Sequence, residues 1–121
     1  MSSESNKEIE LIRLYYSNIG DEYFLDALKN YSNGEGFGLG DIWCIFAEEL
    51  QPWEEGYFGE VGVAYYFDYP AVENNEVLVI DNNVFYRYLK EACYKFIEHN
   101  SSSEAEVNQY LLKIKNRLNL N

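Results

Sequence analysis

Apolar residues recur at helical spacing in the first quarter of the chain. Four of them lie three or four positions apart and therefore share one face of a helix: Ile9, Ile12, Tyr16 and Ile19. Gly20 interrupts the pattern, and Asp21 can cap a second helix. The side that this second helix buries would consist of Phe24, Leu25, Leu28 and Tyr31. We therefore predict two helices with a break at Gly20.

A glycine-rich segment, NGEGFGLG, follows at residues 33–40. A phosphate-binding Walker loop needs a Lys followed by Ser or Thr, and the segment contains neither. A dinucleotide fingerprint needs a preceding strand, whereas a predicted helix precedes this segment. Glu35 would also repel a phosphate. The segment is interpreted as a helix stop and a turn into a sheet.

The middle of the chain predicts three strands, at Asp41–Glu49, Tyr57–Tyr69 and Val77–Ile80. The first is apolar on both faces, which is typical of an interior strand. The second alternates, and its buried face would consist of Val61, Val63, Tyr65 and Phe67. Short links between successive strands favour antiparallel pairing.

The last third returns to helical spacing. After possible caps at residues 81–83, one helix would bury Phe85, Tyr88, Leu89, Ala92, Cys93, Phe96 and Ile97. Ser103 and Glu106 match a capping box for a final helix. The buried stripe of that helix would be Val107, Tyr110, Leu111, Ile114 and Leu118.

The predicted order is therefore α-α-β-β-β-α-α. It indicates an α+β fold, with a small antiparallel sheet of about three to four strands and helices packed on one face. With 121 residues, the chain fits a single domain over residues 1–121. Residues 1–20 form an N-terminal helix, and an extension of the domain is one interpretation of it. We expect the first few residues and residue 121 to be frayed.

Charge is distributed unevenly along the chain. The net charge is −12, from 21 acids against nine Lys and Arg. Between Asn30 and Tyr86 there are 11 acids and no base, so almost the whole excess lies in this middle segment. Such a charge argues against binding of nucleic acid phosphates or of anionic membranes. It can serve as a surface for solubility, or it can attract a basic partner.

Localisation and cofactors follow from what the sequence contains. The N-terminus has no basic region followed by an apolar stretch, so we expect a cytoplasmic protein without a membrane segment. Cys44 and Cys93 are interpreted as buried thiols in a reducing cytosol, although a single disulfide is an alternative. The absence of CxxC motifs and of paired His residues argues against zinc, and no cofactor is expected.

No catalytic constellation stands out. The only His, His99, lies near a helix end without a nucleophile in register. The adjacent acids Glu48–Glu49 and Glu54–Glu55 would point to opposite faces if they lay on strands. Distant carboxylates can still converge, so a small carboxylate-dependent hydrolase is kept as an alternative. We expect the chain not to be an enzyme.

Aromatic residues are interleaved with the acids, and protein interfaces use Trp and Tyr as anchors with charges around them. For Trp53, Tyr57 and Tyr66 we favour exposure over burial in the core. The predicted partner-binding residues are Glu48, Glu49, Trp53, Glu54, Glu55, Tyr57, Glu60, Tyr66 and Asp68. Carboxylates beside rings suit a basic protein such as a ribonuclease, whose cleft binds phosphates.

Three segments carry a family resemblance: NGEGFG (33–38), WEEGYFGEVGVAYYF (53–67) and VLVIDNNVFYRYLKEACYKFIEHN (77–100). They resemble immunity proteins of bacterial contact-dependent growth inhibition (CdiI type), in particular the group paired with ribonuclease toxins. The helix pattern FYxYLxxACxxxI is the most specific part. The likeness extends from roughly Asn33 to Leu118 and leaves out the first 20 residues.

The resemblance implies a cytoplasmic bacterial protein that binds the C-terminal toxin domain of a surface-displayed exoprotein. It would occlude the active surface of the toxin or a surface by which the toxin engages a host factor. No catalytic residue and no contact residue is carried over, because contacts vary within such families. An acidic regulator or DNA mimic that sequesters a basic nucleic-acid-binding protein is the alternative interpretation.

Overall fold

A computed structural model describes residues 3–120 of the chain. The elements in chain order are α1 (Ser3–Ser32), β1 (Gly38–Leu39), β2 (Ile42–Phe46), β3 (Val63–Phe67), β4 (Glu76–Ile80), α2 (Asn82–His99) and α3 (Glu104–Arg117). Short 3₁₀ turns precede the 50–62 loop and α3, at Ala47–Glu49 and Ser101–Ser103. The predicted α+β class is confirmed, with four strands in the described residues. Residues 1, 2 and 121, where we expected fraying, lie outside the description.

Helix α1 is interrupted at Gly20, which has non-helical backbone angles (φ 64°, ψ 178°). The predicted break between two helical halves is therefore confirmed. Both halves contribute to the core: the buried residues are Leu11, Ile12, Tyr15, Ile19, Phe24, Ala27, Leu28 and Tyr31. The carboxylate of Asp21, the residue predicted as a cap, accepts a hydrogen bond from Asn100 Nδ2 at 3.3 Å, which links α1 to the end of α2.

The four strands form one antiparallel sheet in the order β1-β2-β3-β4. One face is buried in the same core as the helices, and its buried residues are Ile42, Cys44, Phe46, Val63, Tyr65, Phe67 and Ile80. Alternation along each strand sends the intervening residues to the opposite, outer face. The prediction that the helices cover one face of the sheet is confirmed.

The sequence did not predict β1, which lies inside the glycine-rich segment. It pairs with the start of β2 through Gly38 and Trp43. The segment runs close to β2, because the Cys44 N–H donates to the Phe37 carbonyl at 3.0 Å. A Cβ added at Gly36 would overlap the carbonyl group of Cys44. The glycine-rich segment is thus the predicted turn into the sheet and also supplies a short edge strand.

Strand β3 is shorter than predicted, since it begins at Val63 and not at Tyr57. Val61 is 70% exposed, so its predicted place in the core is wrong. Gly62 explains the difference: its φ is +114°, and an added Cβ would lie 2.9 Å from the Ile80 carbonyl oxygen. The extended alternation therefore cannot continue back through Gly62. The other three residues predicted for this buried face are fully buried: Val63, Tyr65 and Phe67.

Helices α2 and α3 complete the core. Asp81 caps α2, because its side chain accepts a hydrogen bond from the Val84 N–H at 2.8 Å. The fully buried residues on the two stripes include Phe85, Leu89, Cys93, Val107 and Ile114. The predicted capping box is wrong: the Ser103 side chain makes no capping bond, since a 3₁₀ turn leads directly into α3. No helix within residues 3–120 is long and apolar enough to cross a membrane.

A small group of polar atoms lies inside the core. The Tyr15 hydroxyl donates to the Phe37 carbonyl at 2.8 Å and is in hydrogen-bond contact with the Tyr31 hydroxyl and with Cys44 Sγ. Burial raises the pKa of the Cys44 thiol to about 11 and that of the Cys93 thiol to about 12. Both cysteines are free and buried, so the disulfide alternative is wrong.

Candidate protein-binding surface

The predicted contact residues are distributed along the length of β3. Glu48 and Glu49 lie in the 3₁₀ turn after β2, and Glu60 lies shortly before β3 at the same end of the sheet. Tyr66 is in β3, and Asp68 directly follows that strand. At about 3.3 Å per residue, the length of β3 puts Asp68 roughly 17 Å from the other end. The structure therefore brings Glu48, Glu49 and Glu60 to one end and leaves Asp68 at the other.

Glu48 and Glu49 have partners within the chain. Glu48 Oε1 accepts from the Arg117 guanidinium, with both Nε and Nη2 at 3.1 Å. Glu49 Oε2 accepts from two backbone N–H groups, of Phe46 at 2.7 Å and of Gly36 at 3.1 Å. Glu49 thus holds the glycine-rich segment against the end of β2. Both side chains are exposed, but each already serves an internal contact.

The 50–62 loop carries the exposed aromatic and acidic residues. Trp53 is 80% exposed, which confirms the exposure predicted for it. Glu54 and Glu55 beside it are exposed, whereas Tyr57 is half-buried. The loop folds into consecutive turns, in which the Glu54 N–H donates to the Gln51 carbonyl at 2.9 Å and the Tyr57 N–H to the Glu54 carbonyl at 3.2 Å. A large ring that contacts water at the tip of a turn is a typical anchor for a partner.

The outer face of the sheet is apolar and lies on the side away from the helices. Two rows cross it, Trp43–Tyr66–Val77 and Ile45–Ala64–Val79. The Trp43 and Tyr66 rings stack, with centroids 5.2 Å apart and planes at 13°. In β4, Val77 is 60% exposed and Val79 is 50% exposed. Exposed apolar side chains in adjacent rows form a patch, which is a frequent feature of protein-binding sites.

Sequence reasoning included Tyr66 but missed Trp43, Val77 and Val79. The two-sided apolar pattern of β2 was interpreted as an interior strand, and the structure does place β2 between β1 and β3. An interior position within a sheet does not require cover on both faces. Because side chains alternate along a strand, Val77 and Val79 lie on the face opposite Ile80, which is buried. This alternation was the sequence signal that the two valines form an exposed face.

The 50–62 loop reaches this outer face. A Cβ added at Gly56 would lie 3.9 Å from the Tyr66 hydroxyl, so the turn after Glu55 lies beside the stacked rings. We call the combined region the aromatic–acidic surface and define it by Trp43, Tyr66, Val77 and Val79 of the sheet with Trp53, Glu54 and Glu55 of the loop. It joins apolar area to carboxylates, as interfaces with steering charges do.

Most of the acidic charge of the middle segment has no basic partner. Of its 11 acids, Glu48 pairs with Arg117 at 3.1 Å and Glu76 with Lys7 at 2.9 Å. Within residues 3–120, the other nine have no Lys or Arg nitrogen within 4.0 Å. The charge is therefore not neutralised internally, and it can act on a molecule that approaches.

In the part of the chain that the structure describes, nucleophilic, acid–base and metal-binding side chains are not clustered at this surface. Glu48 and Glu60 line a common depression of about 230 Å³, but Glu48 is held there by Arg117. Both thiols are buried, and His99 lies at the end of α2 on the helical side. The described residues contain no group of three or more side chains placed to hold a metal ion. The geometry offers an exposed surface for binding.

A comparison with protein families gives a match over residues 8–111 to a family described as CDI immunity protein (CdiI_4), where CDI is contact-dependent growth inhibition. The matched range contains all four strands, α2, most of α1 and half of α3. The chain belongs to this family. As a CDI immunity protein, it has an immunity function against a CDI toxin, and such proteins are in general not enzymes. No curated protein matches the chain.

The family resemblance expected from the sequence is thus confirmed. The CDI immunity match begins at Glu8, earlier than the likeness that we placed from about Asn33. Helix α1 contributes Leu11, Ile12, Tyr15 and Ile19 to the common core, so the first half of this helix packs with the rest of the fold.

Proposed function

We propose that this CDI immunity protein neutralises a ribonuclease toxin domain by covering its RNA-binding surface with the aromatic–acidic surface. A ribonuclease binds a polyanion and therefore carries a positively charged cleft. Carboxylates that flank an apolar patch suit such a cleft, because they replace the phosphates while the rings supply contact area. The protein would act in the cytoplasm, where the toxin meets cellular RNA.

The observation that carries the proposal is the position of Trp53. The ring is 80% exposed between turns that also present Glu54 and Glu55, and these turns lie beside the stacked Trp43 and Tyr66 rings. A monomeric protein gains nothing by leaving an indole in water, because burial of a side chain of that size is favourable. Trp is enriched among the few residues that contribute most of the binding energy at protein interfaces.

The alternative of a DNA mimic is less well supported. A mimic needs carboxylates at phosphate-like intervals over a continuous surface. Here Glu60 and Asp68 lie at opposite ends of β3, and the outer face between them is apolar. Membership of an immunity family also favours a toxin as the partner. The hydrolase alternative has no observation in its favour, since Glu48 is ion-paired.

The first test is an inhibition assay with the toxin. The full chain, tagged, captures the toxin from the native bacterium, and mass spectrometry identifies it. The purified toxin is then incubated with cellular RNA at increasing concentrations of the immunity protein. We expect cleavage to stop at one immunity protein per toxin. The triple variant W53A/E54K/E55K should need at least about thirtyfold higher concentration, because truncation of an anchoring Trp alone costs about 2 kcal/mol or more.

A matched control separates the surface from overall charge. Asp26 in α1 and Glu98 in α2 are exposed acids on the helical side, and D26K/E98K reverses the same number of charges. This variant should inhibit as well as the unaltered protein. If the triple variant inhibits the toxin as well as the unaltered protein does, the aromatic–acidic surface is not the contact. A captured toxin that cleaves only DNA would refute the ribonuclease proposal, and binding without inhibition of cleavage would refute occlusion of the RNA-binding surface.

A further inference from the structure

The edge of the sheet at β4 is open. Within residues 3–120, β4 pairs with β3 on one side and with no strand on the other. Folded proteins protect such edges with Lys, Pro, a β-bulge or a very short strand. β4 has five residues, contains no Lys, Arg or Pro, and pairs residue by residue with β3 without a bulge. The opposite edge strand, β1, has only two residues, so β4 is the unprotected edge.

The hydrogen bonds around β3 show which backbone groups of β4 face outward. At one end of the β2–β3 pair, the Ala47 N–H donates to the Gly62 carbonyl at 2.9 Å. At the other end, the Asp68 N–H donates to the Asp41 carbonyl at 2.9 Å. In an antiparallel sheet each residue directs both backbone groups to the same neighbouring strand, and successive residues alternate. The even-numbered residues of β3 therefore bond to β2, and its odd-numbered residues bond to β4.

Val77 and Val79 therefore present their backbone groups to the open edge. The odd-numbered residues of β3 have Ile80, Leu78 and Glu76 as partners, so these three direct their N–H and C=O groups toward β3. The two valines between them direct theirs outward, and their side chains are 60% and 50% exposed. An edge of this kind is a template for a further strand.

The sequence of β4 is complementary to itself across a two-fold axis at Leu78. In antiparallel pairing with a second copy, Val77 lies opposite Val79 of that copy, and Leu78 lies opposite Leu78. The outward-facing valines then exchange both backbone hydrogen bonds, and their side chains contact on the outer face. Glu76, the only charged residue of the strand, is already paired with Lys7 at 2.9 Å, so no unpaired charge lies within the pairing.

We propose that β4 pairs with β4 of a second copy of this chain and that the two sheets form one continuous eight-stranded sheet. The two-fold axis is perpendicular to the sheet, because that axis makes the strand antiparallel to its own copy. Both outer faces therefore lie on one side of the dimer, and both sets of helices lie on the other. The aromatic–acidic surface of each copy stays exposed, so the pairing does not depend on the proposed toxin contact.

Sedimentation equilibrium of the full chain, without toxin, measures the association. A single short strand pair is a small interface, so we expect a dimer at about 100 µM chain that dissociates on dilution. Each copy carries a net charge of −12, so the two copies repel each other. Dimerisation should therefore become at least about threefold tighter between about 50 mM and about 500 mM NaCl. Binding of a basic toxin weakens with salt, so the two associations respond in opposite directions.

Two substitutions of one residue test the backbone contact. Val79→Pro removes an outward N–H from each copy, at an edge position where a strand tolerates Pro. We expect it to dimerise at least about tenfold more weakly. The matched control Val79→Thr keeps the N–H and the branched shape, and it should associate as the unaltered chain does. Circular dichroism checks that both variants are folded.

Cysteine cross-linking tests the register of the pairing. Across the axis, the two Leu78 Cα atoms lie about 4.5 Å apart, whereas the two Val77 Cα atoms lie diagonally at roughly 9 Å. A disulfide needs Cα atoms closer than about 7 Å. Under oxidation, Leu78→Cys should therefore give a covalent dimer and Val77→Cys should not. The native thiols are buried, so the unaltered chain gives the background.

The other outcomes overturn the proposal. One is a chain that stays monomeric at high salt and gives no covalent dimer through Leu78→Cys. Equal association of the Pro and Thr variants would place the interface elsewhere, and a covalent dimer through Val77→Cys alone would refute the pairing centred on Leu78. If the chain is monomeric and Val79→Pro weakens capture of the toxin while Val79→Thr does not, the edge takes a strand of the toxin and not a second copy.

Discussion

Glu49 shows how a single side chain can have a different role from the one its exposure implies. It lies in an acidic, exposed turn and was predicted as a partner contact. In the structure its Oε2 accepts from the N–H groups of Phe46 and Gly36. The adjacent Glu48 has the same charge and exposure, but its partner is the exposed guanidinium of Arg117. The two carboxylates therefore form a matched pair for a stability experiment.

We expect Glu49→Ala to lower the free energy of unfolding by about 1–2 kcal/mol, since two backbone donors lose a charged acceptor. Glu48→Ala should cost less than about 1 kcal/mol, because an exposed ion pair contributes little. Urea denaturation followed by circular dichroism measures both. A loss of the same size in the two variants would show that the Glu49 contacts do not hold the glycine-rich segment.

The buried thiols make stability depend on pH. Burial raises the pKa of Cys44 from its ordinary value of 9.0 to about 11, and that of Cys93 to about 12. Above pH 9 the unfolded chain releases these protons while the folded chain retains them, so the folded state binds more protons. Stability is therefore fully present below pH 9 and falls as the pH rises toward the folded values. The buried hydroxyl of Tyr15, whose pKa is also raised, acts in the same direction above pH 10.

We predict a decrease in unfolding free energy between pH 9 and pH 10.5, on the order of 1 kcal/mol per pH unit for each thiol. Urea titrations at several pH values in that interval give the slope. In a C44A/C93A variant the decrease in unfolding free energy per pH unit should be smaller. The variant is less stable than the unaltered protein at every pH, because the two substitutions leave cavities in the core. Identical slopes in both proteins would contradict the assignment to the thiols.

At the scale of elements, the helices could be predicted because their signal is local. The buried stripe of α2 follows from spacing alone, and Phe85, Leu89, Cys93 and Phe96 are buried as expected. The break at Gly20 also needs no tertiary information, since Gly has the least preference for helix among residues other than Pro. The buried positions in the strand were predicted correctly for the same reason. The alternation of apolar residues identifies Val63, Tyr65 and Phe67 as one buried face without any knowledge of the neighbouring strands.

The ends of elements could not be predicted, because they depend on contacts with distant residues. The limit of β3 is set at Gly62, which lies close to the backbone of Ile80. The strand β1 exists because Gly36 allows the chain to approach Cys44. Neither contact leaves a periodic signal in the sequence. The same holds for Ser103, which has the right spacing for a capping box but follows a 3₁₀ turn.

The sequence predicted several residues of the aromatic–acidic surface but not the way in which strands and loop combine to form it. Interleaved rings and acids pointed to Trp53, Glu54 and Glu55, which are exposed. The apolar outer face was missed, because the two-sided apolar pattern of β2 was interpreted as an interior strand, and an interior position does not show which face is covered. Alternation along β2 puts Trp43 on that face, where it stacks on Tyr66 of the neighbouring strand. Pairing between strands turns separate residues into one surface.

At the scale of the whole molecule, the sheet separates two regions of different charge. One side carries the unpaired carboxylates Glu54 and Glu55 beside the outer face, and the other carries a groove between α1 and α2 that Arg13, Arg87 and Lys95 line. A net charge of −12 in 121 residues gives a field that extends beyond the surface by about one Debye length, roughly 8–10 Å in physiological salt. Because that field is uneven, a basic partner would approach in a preferred orientation.

This asymmetry makes a kinetic prediction for the association with a basic toxin. E54K/E55K and D26K/E98K both change the net charge from −12 to −8, since each replaces two acids with two bases. If only total charge mattered, stopped-flow association rates would fall equally and would depend equally on salt. We expect the loop variant to associate about tenfold more slowly at low ionic strength and with a weaker salt dependence, because the lost charges lie in the contact region. The helical variant should keep most of the rate, and the melting temperature of each should stay nearly unchanged, as both pairs are exposed. Equal slowing in the two variants would mean that the toxin responds to total charge and not to the aromatic–acidic surface.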